Sequence, residues 1–251
     1  MRPIILPIIS LAALLLLWEV YVWAFEVPAY LLPAPSSIWA SGSQILGAMP
    51  VHIWATLFTV LAGFVVSVLI AIPLGVLISL NRIASEAIYP LLVFANAIPV
   101  IAVAPIIVVM LGTGIESRLV INFLVCFFPI MVATATGILD TPKAYLDLSR
   151  STGAGFLTGL LTIRMPHAVP FIFSGLKIGI TLSVIGAVVG EFITSNRGLG
   201  YLIVSATTNF DLAQAMFAVI VLAIMSVILF QGVQYMQKYF FPWSIKAQTL
   251  N

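Results

Sequence analysis

Residues 57–80 read LFTVLAGFVVSVLIAIPLGVLISL and contain no charged side chain. A helix rises about 1.5 Å per residue, so about 20 residues cross a hydrocarbon core about 30 Å thick. A single strand in lipid would leave its backbone N–H and C=O groups unpaired, which excludes an extended segment. The stretch therefore predicts a transmembrane helix.

Five other apolar runs have a similar length and composition. The six predicted spans are 4–24, 57–80, 87–111, 118–139, 170–191 and 213–236. The chain is 62% hydrophobic and 7% charged, whereas soluble domains carry about 25% charged residues. This composition excludes an ordinary soluble enzyme, a disordered chain and a nucleic-acid-binding protein. We expect an all-α integral membrane protein with six transmembrane helices in a single transmembrane domain, 1–251.

The positions of lysine and arginine predict the orientation of these spans, because both residues concentrate on the cytoplasmic side. With a cytoplasmic N-terminus, only Arg118 and Arg197 face outward, and Lys177 lies near enough to the inner surface to extend its ammonium group there. The cations then assigned to the cytoplasmic side are Arg2, Arg82, Lys143, Arg150, Arg164, Lys238 and Lys246. The distribution predicts that the N- and C-termini are both cytoplasmic.

The predicted outer segment, 25–56, begins with several prolines and favours an extended start. A short helix along the membrane surface is expected over 36–49. Glu19 lies in the outer third of the first span, where it either reaches the interface or serves a proton or ion role.

The predicted cytoplasmic loop, 140–169, is the second long hydrophilic segment. Its opening Asp140-Thr141-Pro142 is typical of a helix start, with a capping residue followed by proline, and Gly153 interrupts that helix. A second short helix is expected over 156–163, ending near Pro166 and Pro170. These residues alone fit a simple connection between spans as well as a docking element.

The spacing within this loop resembles the cytoplasmic signature of permease subunits of bacterial ABC importers. That signature reads Glu-Ala-Ala, three residues, Gly, nine residues, Ile-x-Leu-Pro. Here Asp147-Leu148-Ser149 takes the place of the first triplet, and Met165 replaces the leucine. The resemblance implies that the loop docks on an ATPase subunit. The residues that occupy the signature positions are Asp147, Gly153, Ile163 and Pro166.

Further stretches resemble the nitrate/sulfonate/taurine branch of these permeases, which includes proteins for thiamine-precursor and riboflavin uptake. They are LPAPS at 32–36, SGLKIG at 174–179, GEF at 190–192 and RGLGYLI at 197–203. The resemblance implies a type I ABC importer permease fold in the cytoplasmic (inner) membrane of a bacterium. It also implies three kinds of partner: a pair of ABC ATPase subunits, an external substrate-binding protein and a second permease copy, as a homodimer.

ATP and Mg are expected on the partner ATPase, and no catalytic residue, metal or cofactor is expected in this chain. The sequence contains no Gly-x-x-x-x-Gly-Lys-Ser/Thr loop to hold nucleotide phosphates. His52 and His167 are predicted on opposite sides of the membrane, so they cannot form one metal site.

The candidate pathway residues are polar or helix-bending groups inside apolar spans. Pro90, Pro99 and Pro105 are each expected to bend the third span. Either the bent helix lines the pathway with Asn96 facing it, or neighbouring helices simply accommodate the bend. Asn122 either contacts the solute or hydrogen-bonds to a neighbouring helix. Ser183 lies among glycines of the fifth span whose spacing favours close helix packing over a mobile gate.

Glu191 is predicted at the outer end of the fifth span, where the helix dipole disfavours a carboxylate. We therefore expect either an ion pair, for example with Arg197, or a contact with the external binding protein.

Together these features predict the permease subunit of an ATP-driven importer for a small solute. Nitrate, a sulfonate, taurine or a vitamin precursor would each fit an apolar pathway with a few amides and hydroxyls. The alternative is an ion-coupled secondary transporter, although no convincing internal repeat is present in the sequence. An intramembrane enzyme is disfavoured because no His-Glu-x-x-His or Gly-x-Ser-x-Gly motif occurs.

Overall fold

The computed structural model describes residues 2–248, and within them every side chain except those at 2–4, 7–8, 82, 84–85, 93 and 246–248. Met1 and 249–251, which belong to the predicted domain 1–251, lie outside the described residues. The side chains of Arg2, Arg82 and Lys246, used to predict the orientation, also lie outside them.

Helices joined by short turns make up the described residues. Their bounds are α1 Arg2–Ala24, α2 Pro35–Gln44, α3 Met49–Leu80, α4 Arg82–Asn96, α5 Val100–Leu111, α6 Ile115–Leu139, α7 Lys143–Ser151, α8 Phe156–Gly159, α9 Met165–Thr194, α10 Leu199–Thr208, α11 Leu212–Phe240 and α12 Pro242–Gln248. One π-helical turn, Leu160–Arg164, joins α8 to α9. The prediction of an all-helical fold is confirmed.

Four helical segments within the described residues are long and apolar enough to cross a membrane: α3, α6, the segment Phe156–Thr194 and α11. They contain the predicted spans 57–80, 118–139, 170–191 and 213–236. The first predicted span lies within α1, whose apolar part with described side chains is Ile9–Ala24. Counting the bent pair of α4 and α5 as one more span gives five.

The third predicted span, 87–111, is not one continuous helix. The axes of Glu86–Asn96 and Val100–Leu111 differ by 89°, and Pro99 between them is extended, with φ −65° and ψ 108°. Proline has no N–H to continue the helical bonding, and it disfavours the helical conformation of Ile98 before it. The span is therefore broken at 97–99 rather than bent within a helix.

The fifth predicted span is longer than expected, because helical structure continues without a break from Phe156 to Thr194 over 39 residues. The prediction that the second loop helix ends near Pro166 is wrong. Pro166 lacks the N–H group that would bond to the carbonyl of Thr162. The π-helical turn just before it changes the bonding pattern at this point, so the helix continues past the proline. The loop end of the molecule is thus continuous with its central helix.

The core consists of α3, α6 and α9, which pack closely along their lengths. A β-carbon at Gly186 of α9 would lie 3.0 Å from the Cα atom of Asn122 on α6. At Gly175 it would lie 2.6 Å from the Cβ atom of Ala133. These short separations require glycine and confirm the expectation of close packing by the fifth span.

The short helix α2 begins as predicted but ends at Gln44, before α3 starts at Met49. Glu19 of α1 caps the first turn of α2: Ser36 N donates to Glu19 Oε2 at 3.0 Å, and Ser36 Oγ donates to Glu19 Oε1 at 2.6 Å. Capping N–H groups at a helix start with a carboxylate is favourable. A structural role for Glu19 follows from these bonds.

Candidate functional site

The loop 140–169 forms two helices separated by a turn at Gly153. This residue has φ +72°, a left-handed conformation that glycine adopts without strain, and its N–H donates to the carbonyl of Arg150 at 3.0 Å. Thr141 does not cap α7, because its hydroxyl donates to Ile138 O at 2.9 Å and Pro142 occupies the cap position. The glycine, rather than the predicted cap, defines the shape of this loop.

The surface of this loop is apolar as well as charged. The exposed apolar side chains are Tyr145, Leu148, Phe156, Leu157 and Leu161. Asp147 and Arg150 form an i,i+3 ion pair at 3.6 Å, with exposed side chains, and such a pair contributes little stability. An exposed apolar cluster on a loop of this kind is typical of a contact surface for another protein.

The four residues at the signature positions lie in two places. Asp147 and Gly153 are exposed on α7 and the turn, whereas Ile163 and Pro166 are half-buried where the loop joins α9. The first pair is therefore available for contact with a partner, and the second pair connects that contact surface to the central helix.

The break between α4 and α5 borders a cavity of about 260 Å³, which we call the pathway cavity. Asn96 and Pro99 both line it. Apolar side chains supply the wall opposite them: Leu124, Val125, Phe128, Leu182, Ile185 and Val189. Among the described residues that line this cavity, none is a lysine or an arginine.

Asn122 and Ser183 lie outside the residues lining that cavity and are fully buried. The amide of Asn122 donates to Thr59 O at 3.3 Å and to Ser183 O at 3.0 Å. Ser183 Oγ is 2.8 Å from Val60 O and 2.9 Å from Asn122 Oδ1. These bonds join α3, α6 and α9. Of the two alternatives for Asn122, the structure shows hydrogen bonding between helices.

One face of the central helix α9 is not covered by the rest of the described chain. Its exposed residues follow one another at helical spacing: Ser174, Ile178, Thr181 and Ile185. Ile185 also lines the pathway cavity, so the uncovered face and the cavity are adjacent.

Glu191 is buried, with 1% of its surface exposed, at the opposite end of α9 from the loop. Its Oε2 atom accepts hydrogen bonds from Thr56 Oγ1 at 3.0 Å and from Gly200 N at 2.8 Å. Gly200 is in the first turn of α10, where backbone N–H groups favour a negative charge. The Glu191 carboxylate is unfavourably placed at the C-terminal end of the α9 dipole, but it is favourably placed at the N-terminal end of the α10 dipole.

Two side chains of α3 complete this arrangement, which we call the α10 cap cluster (His52, Thr56 and Glu191). Leu199 N donates to Thr56 Oγ1 at 2.8 Å, and Gly198 N donates to His52 Nδ1 at 3.1 Å. Three successive N–H groups at the start of α10 therefore bond to side chains from α3 and α9. The cluster fixes α10 against both long helices.

The ion pair proposed between Glu191 and Arg197 is not formed in the described part of the chain. Arg197 is exposed in the turn before α10, and its N–H donates to Ser195 Oγ at 3.1 Å. Glu191 faces inward instead, where Thr56 and Gly200 donate to its Oε2 atom and the buried Oε1 atom has no hydrogen-bond partner among the described residues. Its burial also separates it from any protein that would dock on the surface.

His52 and Thr56 were not predictable as members of the α10 cap cluster, because they lie 139 and 135 positions before Glu191 in the chain. The only local signal is Gly198-Leu199-Gly200, where two glycines flank the first residue of a helix.

A helical membrane core with an exposed apolar loop surface and a cavity at a broken span is typical of a transport permease. The family model for "binding-protein-dependent transport system inner membrane component" matches residues 67–246, and the chain belongs to this family. It is the permease subunit of an ABC importer, a multi-pass protein of the inner membrane. Membership implies an ATPase and a substrate-binding protein as partners.

Two relatives cover almost the whole chain. The formylaminopyrimidine transport permease protein ThiX of Halalkalibacterium halodurans is 32% identical over 241 residues, which is 96% of each chain. The taurine transport system permease protein TauC of Escherichia coli is 26% identical, over 98% of this chain and 92% of its own. The predicted branch is therefore confirmed.

The fold is similar to that of a solved chain of the MetNI methionine ABC transporter in an inward-facing conformation. The two superpose with a TM-score of 0.58 and 17% identity, over 76% of this chain and 98% of that one. This likeness confirms the type I ABC importer permease fold.

Proposed function

We propose that two copies of this chain form the translocation pathway of the importer, with six spans in each copy and all termini in the cytoplasm. The observation that carries the proposal is the uncovered face of α9 beside the pathway cavity. Ser174, Ile178, Thr181 and Ile185 provide a mixed apolar and hydroxyl surface on the most buried helix of the core. A second copy on this face would enclose the cavity between the subunits.

The loop 140–169 is the proposed contact with the ATPase, through Asp147, Gly153 and the apolar residues around them. Ile163 and Pro166 would connect that contact to α9. ATP and Mg are assigned to the partner subunits, and no cofactor to this chain. Arg197, exposed in the turn before α10, is the proposed contact with the external binding protein.

The lining of the pathway cavity favours an uncharged heterocyclic solute, as in vitamin-precursor transport, over nitrate or a sulfonate. An anion in an apolar cavity needs either a cationic side chain or several N–H donors. The described lining instead provides the Asn96 amide and the Phe128 ring. An amide and a ring face suit a planar ring that carries polar substituents.

The test is uptake by proteoliposomes that contain this chain with its partner ATPase and substrate-binding protein. We expect ATP-dependent uptake of a labelled aminopyrimidine, and none of taurine at the same concentration. Faster uptake of taurine would contradict the solute class. Uptake that persists without ATP and follows a proton gradient would contradict the importer mechanism and favour the ion-coupled alternative.

The proposed orientation predicts opposite labelling of two exposed positions, Asn196 and Ser151, each replaced by cysteine. A thiol reagent that cannot cross membranes should label Asn196→Cys in intact cells, and Ser151→Cys only after the cells are opened. Cys126 is fully buried, so the unmodified chain provides a background with little labelling. The reverse pattern would show that the loop 140–169 faces outward.

A further inference from the structure

A second cavity, of about 430 Å³, lies at the α10 end of the molecule between α3 and the start of α6. We call it the arginine cavity, because Arg118 and Arg197 both line it. Its lining also includes Trp54, Phe58, Ser195 and Asn196. It shares none of its lining residues with the pathway cavity.

Arg118 is held in position by its neighbours, but its hydrogen-bonding capacity is not used up. Its stem crosses α9 at Gly190, where an added β-carbon would lie 3.1 Å from Arg118 Cγ. One terminal nitrogen, Nη1, donates to Ser195 Oγ at 3.2 Å. The buried Nε has no hydrogen-bond partner among the described residues. A buried guanidinium N–H without an acceptor is costly, so an acceptor in this cavity would be stabilising.

The described residues that line the cavity include two arginines and no acidic residue. Glu191 interacts electrostatically with Arg118, but its Oε2 atom is already bonded to Thr56 and Gly200. Arg197 is exposed and forms no ion pair within the described residues. Glu191 therefore interacts with Arg118, while the exposed guanidinium of Arg197 has no carboxylate partner within the described residues.

Below the cavity, α3 presents a continuous apolar face that no other described element covers. Its exposed residues follow helical spacing: Trp54, Phe58, Leu61, Val65 and Leu69. From Phe58 to Leu69 the helix rises about 16 Å, close to the depth of one leaflet of a bilayer whose core is about 30 Å thick. An exposed tryptophan at the top of such a face is typical of the membrane interface.

We propose that the arginine cavity binds the phosphate headgroup of an anionic phospholipid, with its acyl chains against the apolar face of α3. Arginine matches phosphate geometry and donates charge-assisted hydrogen bonds, and the aromatic side chains lie where a glycerol backbone enters the apolar layer. The proposal does not depend on which solute the chain transports; it makes the lipid headgroup and the external binding protein alternative partners of Arg197.

The test is native mass spectrometry of the purified full-length chain, titrated with phosphatidylglycerol, with diacylglycerol of the same acyl chains, or with inorganic phosphate. We expect a retained phosphatidylglycerol adduct and much weaker retention of the other two. Arg197→Gln should weaken phosphatidylglycerol retention about tenfold, the loss of one charged hydrogen bond. Arg118→Lys, which keeps the charge but loses the planar donors, should weaken it less.

Arg150→Gln is the matched control, since it removes an exposed arginine from the opposite end of the molecule, and should leave retention unchanged. Unfolding temperatures of all variants would show that a change in retention is not a loss of fold. Equal retention of diacylglycerol, displacement by inorganic phosphate alone, or no effect of Arg197→Gln would each overturn the proposal. So would an adduct found on monomers but absent from dimers, because the face would then be an interface between copies.

Discussion

Replacing Gly153 with aspartate is expected to lower ATP-driven uptake at least about tenfold, while the amount of folded protein in the membrane stays unchanged. A β-carbon at Gly153 would meet nothing within 4 Å, and its φ is +72°. The change therefore leaves the chain's own core untouched. It places a charge on the proposed ATPase contact, at a left-handed position that aspartate tolerates about as well as asparagine does. Loss of about 1.4 kcal/mol at that contact is a tenfold effect.

The measurement is co-purification of the ATPase together with uptake, and two variants separate the causes. Asparagine is nearly the same size as aspartate but carries no charge, and it tolerates the left-handed region. The Gly153→Asn variant should therefore retain most of the uptake activity. Gly155→Asp puts the charge two positions away, at a residue with φ −67° that caps α8, where aspartate is favourable. Normal assembly and uptake in Gly153→Asp would refute the role assigned to this turn.

Replacing Gly198 with alanine is expected to destabilise the protein by more than about 3 kcal/mol. Gly198 has φ +121° and ψ 164°, a region open essentially only to glycine, which adds about 1–3 kcal/mol of strain for another residue. The new β-carbon would also lie 2.3 Å from Cδ of the Glu191 carboxylate. Displacing that buried group breaks its bonds to Thr56 and Gly200, at about 1–3 kcal/mol for each orphaned partner.

The chain contains a matched control at Gly112, with φ +84° and ψ −179°. A β-carbon there would meet nothing within 4 Å, so Gly112→Ala tests the backbone strain without the collision. Thermal unfolding in detergent, followed by tryptophan fluorescence, should show a clearly larger loss for Gly198→Ala. Equal losses in the two variants would mean that Glu191 does not hold the start of α10.

Helix length and composition made most of the fold predictable, because any long uncharged apolar stretch must be helical in lipid. The behaviour of the individual prolines was not predictable in the same way. Pro73, Pro90, Pro105, Pro129 and Pro170 all lie inside helices, whereas Pro99 breaks one. Neighbouring helices can satisfy the carbonyl that a proline frees, so tertiary packing decides which proline interrupts its span.

The candidate site was predictable where its residues are local in the sequence. Gly153 interrupts the loop helices as expected, and Asn96 and Pro99 lie together at a cavity. The roles of Glu19 and Glu191 were not predictable, since each carboxylate bonds to the start of a short helix other than its own. Only the folded chain brings Glu191 to Thr56, 135 positions away, and no local pattern encodes that pairing.

The uninterrupted helix from Phe156 to Thr194 has a mechanical consequence. Its 39 residues make a rod about 58 Å long. A tilt of about 5° around its midpoint would displace its two ends by about 2.5 Å in opposite directions. One end carries the exposed loop surface, and the other carries Glu191 and, through it, α10. A force applied by the ATPase at one membrane surface would therefore move α10 at the other surface. No chain of side-chain contacts between the two surfaces would be needed.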